Sequence, residues 1–295
     1  YTNKLSLVKS DSKGDNKLTV DFLSLYRVND NYLINSGWDL RKMNNRIDVD
    51  LERKYDYSYG KGTLNLKLQT SALGSAYDYN KLILTANNNN KVEKLKIKTR
   101  AYFQLGTGNN WAEESKLVLA GANNEEMMNS KFTRAEGIVS ADFMDYDYTT
   151  NYFHSAGGLN LRGYSGYLAP EFNEDGTIAS FNYNGTSGAA FNTEIDFTAY
   201  LPYSIRKNNI ASYLFADAGI ISNEVLTKEN YKTSFSDLRA DAGIGFTYTF
   251  RNFGPLETVR PLVIRFDMPF FLNRAPASDE DFVQMRWLIG INRAF

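Results

Sequence analysis

The sequence lacks several features that would place it in common protein classes. Its 295 residues include no cysteine, one histidine and six prolines, and they contain no long apolar run. Without cysteine there are no disulfides and no thiolate metal sites. Without about 18 consecutive apolar residues there is no transmembrane helix. The balance of 33 basic and 34 acidic residues gives no basic face for nucleic acid.

The single histidine, His154, also limits the chemistry of the chain. No Ser-His-Asp, Cys-His or His-Glu-x-x-His arrangement can be built around it. We therefore expect that the protein is not an enzyme, that it uses no metal and no cofactor, and that His154 is structural.

What the chain has in abundance is strict alternation of apolar and polar residues. In 94–105, Leu95, Ile97, Thr99, Ala101, Phe103 and Leu105 fall on one face, and Lys94, Lys96, Lys98, Arg100, Tyr102 and Gln104 fall on the other. A helix would leave no apolar stripe here, whereas a strand separates the two sets.

The same period of two predicts about twelve strands. They cover 3–10, 16–28, 31–41, 45–59, 62–74, 79–89, 92–106, 188–202, 210–222, 235–251, 259–270 and 283–295. Short turns such as 59–62 alternate with longer polar loops such as 222–236, which is typical of a barrel with one periplasmic and one extracellular side.

The predicted inner face carries lysine, arginine, aspartate, glutamate and glycine. A soluble barrel turns its apolar face inward, but a membrane barrel turns that face toward lipid. The sequence therefore predicts an all-β protein, a transmembrane antiparallel β-barrel, as one domain over residues 1–295. A soluble lipid-binding barrel is the less favoured alternative.

One segment, 107–187, breaks the alternation, and loops of this length are usually functional. It contains Gly157-Gly158 followed by Leu161-Arg162-Gly163-Tyr164. Five predicted strands follow it, and the second of these contains Phe215-Ala216-Asp217-Ala218-Gly219.

These residues resemble the sixth extracellular loop of the BamA/TpsB superfamily of outer-membrane assembly and secretion barrels. In that family a Gly-Gly stretch leads into a Val/Leu-Arg-Gly-Tyr/Phe motif, and a later strand carries a Phe-x-Asp-x-Gly motif. The resemblance is specific for 150–295 and general for 1–149.

The resemblance implies a lock between the loop and the barrel wall. In the family the loop folds back into the barrel and its arginine pairs with wall carboxylates, which implies that Arg162 pairs with Asp217 and Glu194. Alternation independently places both carboxylates on inner faces. Such a bidentate pair can offset the entropy that the loop loses on entering the barrel. The alternative is that Arg162 is a solvated loop charge.

The chain also departs from the family pattern. Family barrels usually have sixteen strands preceded by POTRA domains, so either this barrel is shorter or its first strands lie outside the sequence. The polar start, Tyr1-Thr2-Asn3-Lys4, is no signal peptide. We therefore expect a mature chain or part of a longer protein. The last residue, Phe295, resembles the C-terminal recognition signal of many outer-membrane barrels.

The resemblance implies a function in inserting or translocating proteins at the outer membrane of a Gram-negative-type cell. Expected partners are outer-membrane lipid or lipopolysaccharide, client or passenger polypeptides, and subunits of an assembly complex. Two alternatives remain open. The barrel could anchor or export a fused soluble enzyme, or it could be a passive porin-like channel whose lumen residues Lys96, Lys98 and Arg100 favour anions.

Overall fold

The computed structural model describes residues 2–28, 39–129, 152–166, 170–172, 178–181, 183–203, 209–226, 231–250, 262–274 and 282–295. The strands are β1 (Thr2–Ser10), β2 (Asn16–Tyr26), β3 (Met43–Tyr57), β4 (Gly60–Ser71), β5 (Asp78–Val92), β6 (Leu95–Asn110), β7 (Leu117–Val118), β8 (Phe153–His154), β9 (Pro170–Phe172), β10 (Ile178–Phe181), β11 (Asn184–Gly185), β12 (Ser187–Asp196), β13 (Ile210–Leu226), β14 (Tyr231–Phe235), β15 (Arg239–Phe250), β16 (Leu262–Leu272) and β17 (Leu288–Ile291). One α-helix, α1 (Asn124–Asn129), and 3-10 helices at Glu113–Ser115, Arg162–Tyr164 and Thr198–Tyr200 complete the described elements.

One large sheet dominates the structure. Its strand order is β1-β2-β3-β4-β5-β6-β12-β13-β15-β16-β17-β8, and β14 pairs alongside β13. Its pairs are antiparallel except for the last, in which β8 runs parallel to β17. The predicted fold class, all-β and antiparallel with about twelve strands, is confirmed. Among the described residues, no helix has the length and apolarity to cross a lipid bilayer.

The two faces of the sheet have opposite polarity. On β6 the side chains of Arg100, Tyr102 and Gln104 are buried, whereas Phe103 and Leu105 are exposed. The same alternation runs along β15, where Arg239, Asp241 and Thr247 are buried and Phe246 and Tyr248 are exposed. The charged face thus points inward and the apolar face outward, as the sequence predicts, and this is the arrangement of a sheet in lipid.

The inner space is filled by the segment between β6 and β12. Its apolar side chains pack with inward residues of the wall into one buried cluster. The cluster contains Tyr102, Leu117, Leu119, Ala120, Ala122, Met127, Leu159, Leu161, Tyr164, Tyr183, Ala190, Ile221 and Leu272. The apolar core of the molecule therefore lies inside the sheet and is supplied largely by the loop.

Eleven of the twelve predicted strands are present, and one falls mostly outside the described residues. Of the predicted strand at 31–41, residues 39–41 are described and are not in a strand. The predicted strand at 188–202 ends early, at Asp196, because the Asp196 carboxylate accepts the backbone N–H of Thr198 at 3.0 Å and opens a 3-10 turn.

The prediction of a continuous strand over 283–295 is wrong in its extent. The regular strand covers only Leu288–Ile291. The residues before β17 meet β16 irregularly, through an isolated bridge between Val283 and Phe271 and a bond from Arg286 N to Pro269 O at 3.1 Å. After β17, Asn292 adopts a left-handed φ of 69°, which turns the chain out of the sheet.

The outward face gives a first testable prediction. Leu66→Arg, in the middle of β4, places a charge on the apolar face and should lower the free energy of unfolding in lipid vesicles by about 2–4 kcal/mol. The neighbouring Lys67→Arg, on the inward face, should change it little. Urea titration in vesicles measures both, and equal effects of the two substitutions would contradict the assignment of the faces.

Candidate functional site

The segment that carries Gly157-Gly158 and Leu161-Arg162-Gly163-Tyr164 lies against the inner face of the sheet. Backbone hydrogen bonds within the loop hold it there. Leu159 N donates to Val118 O at 3.2 Å, and Leu161 N donates to Leu119 O at 3.1 Å. The two parts of the loop pair with each other because backbone donors and acceptors that leave water must find partners. These bonds position the 3-10 helix Arg162–Tyr164 against the inward faces of β12, β13 and β15.

The side chain of Arg162 is fully buried between two wall carboxylates. Its Nε and Nη2 donate to the two oxygens of Asp217 at 2.8 and 3.0 Å, and its Nη1 donates to Glu194 Oε1 at 2.9 Å. The backbone N–H of Arg162 also reaches Asp217, at 3.3 Å. The structure thus brings together the three residues that the family resemblance connects, in the bidentate geometry that guanidinium favours.

The surroundings keep Arg162 charged. Burial alone lowers its pKa, but the charge and hydrogen bonds of Asp217, together with the charges of Asp267 and Glu194, raise the pKa well above its usual range. The ring of Phe215 lies 4.0 Å from the guanidinium carbon and covers one face of it. The two carboxylates that Arg162 contacts balance this buried charge.

The glycines of the motif are required by close packing. Gly158 has a left-handed φ of 50°, and a Cβ there would lie 2.5 Å from Gly121 O. A Cβ on Gly163 would lie 2.5 Å from the Cβ of Asp241 on β15. Gly157 is also packed, since a Cβ there would lie 2.7 Å from Ala122 Cα. Any side chain at these positions would push the loop away from the wall.

The remaining motif residues pack around the same point. Leu161 and Tyr164 are fully buried, and Tyr164 OH donates to Asn273 Oδ1 at 2.9 Å. Gly219 lies under the motif, since a Cβ there would meet Leu161 Cδ1 at 3.0 Å and Ala189 O at 2.8 Å. The Phe-x-Asp-x-Gly sequence therefore serves one site with three residues. The ring of Phe215 and the carboxylate of Asp217 contact Arg162, and the missing side chain of Gly219 leaves room for Leu161.

Two further side chains hold the loop, although neither was predicted as a residue of this site. Asn192 Nδ2 donates to the carbonyls of Leu159 and Asn160, both at 3.2 Å, and to Asp217 Oδ1 at 3.1 Å. Arg100 donates to Asn192 Oδ1 at 2.9 Å and to Gly158 O at 2.7 Å. Alternation predicts that both face inward, and that inward position is the signal that the sequence offers.

The segment after β17 reaches the same carboxylates. Arg293 donates to Asp196 at 2.9 Å and to Glu194 Oε2 at 3.3 Å, so that Glu194 is shared between two arginines. Phe295, the last residue of the sequence, has its ring 5.9 Å from the guanidinium carbon of Arg162. Alternation could not reveal either contact, because the strand period ends where Asn292 turns the chain.

His154 lies in a second buried cluster at the edge of the sheet. It belongs to β8, its Nδ1 contacts the guanidinium of Arg265, and it is 1% exposed. Arg265 in turn pairs with Asp267 at 2.7 Å, and Tyr213 OH donates to Asp267 at 2.5 Å. Burial, then the charges of Arg265 and Arg162, hold the pKa of His154 well below its usual range.

Comparisons with known proteins give distant structural similarities. The sequence matches no family model. It also matches no curated protein. Among solved structures, it is similar to BamA from Haemophilus ducreyi lacking POTRA domains 1–3, with 14% identity and a TM-score of 0.45 over 98% of this chain and 53% of that chain. It is similar to OccK1 (OpdK) of Pseudomonas aeruginosa, with 12% identity and a TM-score of 0.44 over 98% of this chain and 55% of that one.

A third structure, a BenF-like porin from Pseudomonas fluorescens Pf-5, gives 10% identity and a TM-score of 0.43 over 98% of this chain and 53% of that one. The chain spans about half the length of these structures. At such TM-scores the similarities carry no argument about function. The polarity of its own sheet, apolar outward and charged inward, makes the chain an outer-membrane β-barrel protein, in agreement with the predicted location.

The depressed pKa of His154 predicts a pH dependence. Below the ordinary histidine pKa of about 6.5, His154 becomes protonated in the unfolded chain but stays neutral in the folded chain. The free energy of unfolding should therefore fall as pH decreases, by up to about 1.4 kcal/mol per pH unit. Unfolding in urea between pH 7.5 and 5.0, for wild type and His154→Gln, isolates this contribution. Identical pH profiles for the two proteins would contradict it.

Proposed function

We propose that the chain is a barrel of the assembly or secretion type, which takes part in inserting or translocating polypeptides at the outer membrane. One observation carries the proposal: Arg162 of a Gly-Gly…Leu-Arg-Gly-Tyr loop is buried against Asp217 of a Phe-x-Asp-x-Gly strand and against Glu194. The proposal includes membership of the BamA/TpsB superfamily, and it assigns no catalytic step to the chain.

In this proposal the lock braces the wall while a client is handled elsewhere on the sheet. Arg162 bridges β12 and β13, and Gly163 packs on β15, so the loop ties together three neighbouring strands. Client strands would add to a free strand edge by backbone hydrogen bonding. Among the described residues, the outer edge of β1 has no partner strand. Lipid, client polypeptides and assembly subunits are the partners that this function requires.

A passive channel is the second candidate function. A polar cavity inside the sheet favours a channel, because solutes need a water-filled path across the membrane. The filling of the lumen by Leu159, Leu161 and Tyr164 opposes it, since these side chains occupy the space that a pore would need. The anchor of a fused enzyme remains a third prediction, and it is tested by whether the gene of the natural protein also encodes an enzyme domain.

The proposed function predicts that Arg162→Lys reduces client assembly several-fold while the barrel still folds. Lysine keeps the charge but loses the bidentate pairing to Asp217 and the flat face that stacks on Phe215. The amount of folded client in the outer membrane is compared with the heat-modifiable migration of the barrel itself. Lys13→Ala, in an exposed turn, is the matched control.

Full client assembly by a folded Arg162→Lys barrel would contradict the proposal. Conductance measurements in planar bilayers distinguish the passive channel from the assembly function. Steady ion-selective steps that are indifferent to the Arg162 substitution would favour the channel.

A further inference from the structure

A cavity lies between the sheet and the inserted loop, beside the Arg162 lock, and Arg100 and Gly158 border both. Its volume is about 260 Å³. The inward faces of β3, β4, β5 and β6 form its wall, and α1 with residues near Leu117 and Gly158 closes it from the loop side. This volume exceeds the space of a few waters, since a water in the liquid occupies about 30 Å³.

Four cations line this cavity, and two of them are already neutralised. Arg46 forms ion pairs with Asp48, at 2.9 Å, and with Glu125 of α1. Lys67 lies 3.5 Å from Asp48. The carboxylates of Asp48 and Glu125 are therefore already in ion pairs with Arg46 and Lys67.

The other two cations, Lys81 and Arg100, form no ion pair with any described residue. Lys81 is 4% exposed, and within the described residues it donates only to the carbonyl of Ser115, at 3.0 Å. Arg100 is 7% exposed, and its donors reach Asn192 and the Gly158 carbonyl among the residues that the structure describes. The nearby carboxyl of Glu126 accepts the Asn123 N–H at 2.9 Å and forms no direct ion pair with either cation among the described residues.

Glu125 acts electrostatically on Lys81, and Glu126 acts on Arg100, but neither carboxylate forms a direct ion pair with these cations within the described residues. Both cations also keep unused donors. A lysine has three N–H donors and an arginine five. Of these, Lys81 uses one and Arg100 uses two within the part of the chain that is described. An anion in the cavity would compensate both the charge and the donors.

The rest of the lining suits a carbon skeleton with polar groups. Ile83, Leu117 and the ring of Tyr102 present apolar surface, and Asn65 and Gln69 present amides. Sites for small organic ligands combine such surfaces with a few fixed polar groups. We propose that this cavity binds a small organic carboxylate, held through its charge by Lys81 and Arg100.

The test is titration calorimetry of the full chain in detergent at low ionic strength, with succinate, inorganic phosphate and chloride as probes. The expected result is saturable succinate binding that is weakened about tenfold or more in Lys81→Met, because the substitution removes a charge-assisted hydrogen bond to the carboxylate. Lys81→Arg should restore it. Lys96→Met, which removes an exposed lysine of β6, is the matched control.

Absence of saturable succinate binding would overturn the proposal, as would unchanged affinity in a folded Lys81→Met protein. Phosphate or chloride binding as tightly as succinate would overturn the assignment to an organic carboxylate. Heat-modifiable migration confirms that each variant is folded. The proposal does not depend on the proposed function, because its variants leave Arg162 and its partners in place.

Discussion

A fully buried guanidinium constrains everything that surrounds it. Arg162 has no contact with solvent, so its charge must be matched inside the protein. Asp217 and Glu194 supply that match from two neighbouring strands, and the loop can reach them only if its backbone approaches the wall closely. The glycines at 158 and 163 and the small residue at 219 follow from that requirement. The lock is therefore a property of the loop and the wall together.

The polarity of the sheet makes this arrangement possible. Because the apolar side chains of the strands face outward, the interior is lined with charged and amide groups that an inserted loop must satisfy. The loop brings its own apolar core, centred on Leu159 and Leu161, and its own hydrogen-bonding groups. Glu194 then serves a second arginine, Arg293, so the loop and the segment after β17 are joined through one carboxylate. Displacing either arginine would leave a buried carboxylate partly unpaired.

Alternation predicts the parts of this structure that repeat and fails where repetition stops. The inward positions of Asn192, Glu194 and Asp217 follow from a period of two, and the structure has them inward. Which inward groups meet the loop does not follow from periodicity, and here the family resemblance is needed. The early end of β12, the turn at Asn292 and the approach of Phe295 to Arg162 depend on single side-chain contacts, which leave no periodic signal. The parallel pairing of β8 with β17 joins residues far apart in the sequence and is likewise invisible to local patterns.

The Arg162–Asp217 pair holds the loop inside the sheet, and a double-mutant cycle measures this directly. The unfolding free energies in lipid vesicles are compared for wild type, Arg162→Met, Asp217→Asn and the double variant. We expect a coupling energy of at least about 1.5 kcal/mol, within the range for residues in one buried network. Single effects that add to within about 0.5 kcal/mol would show that the two residues act independently and would contradict the lock.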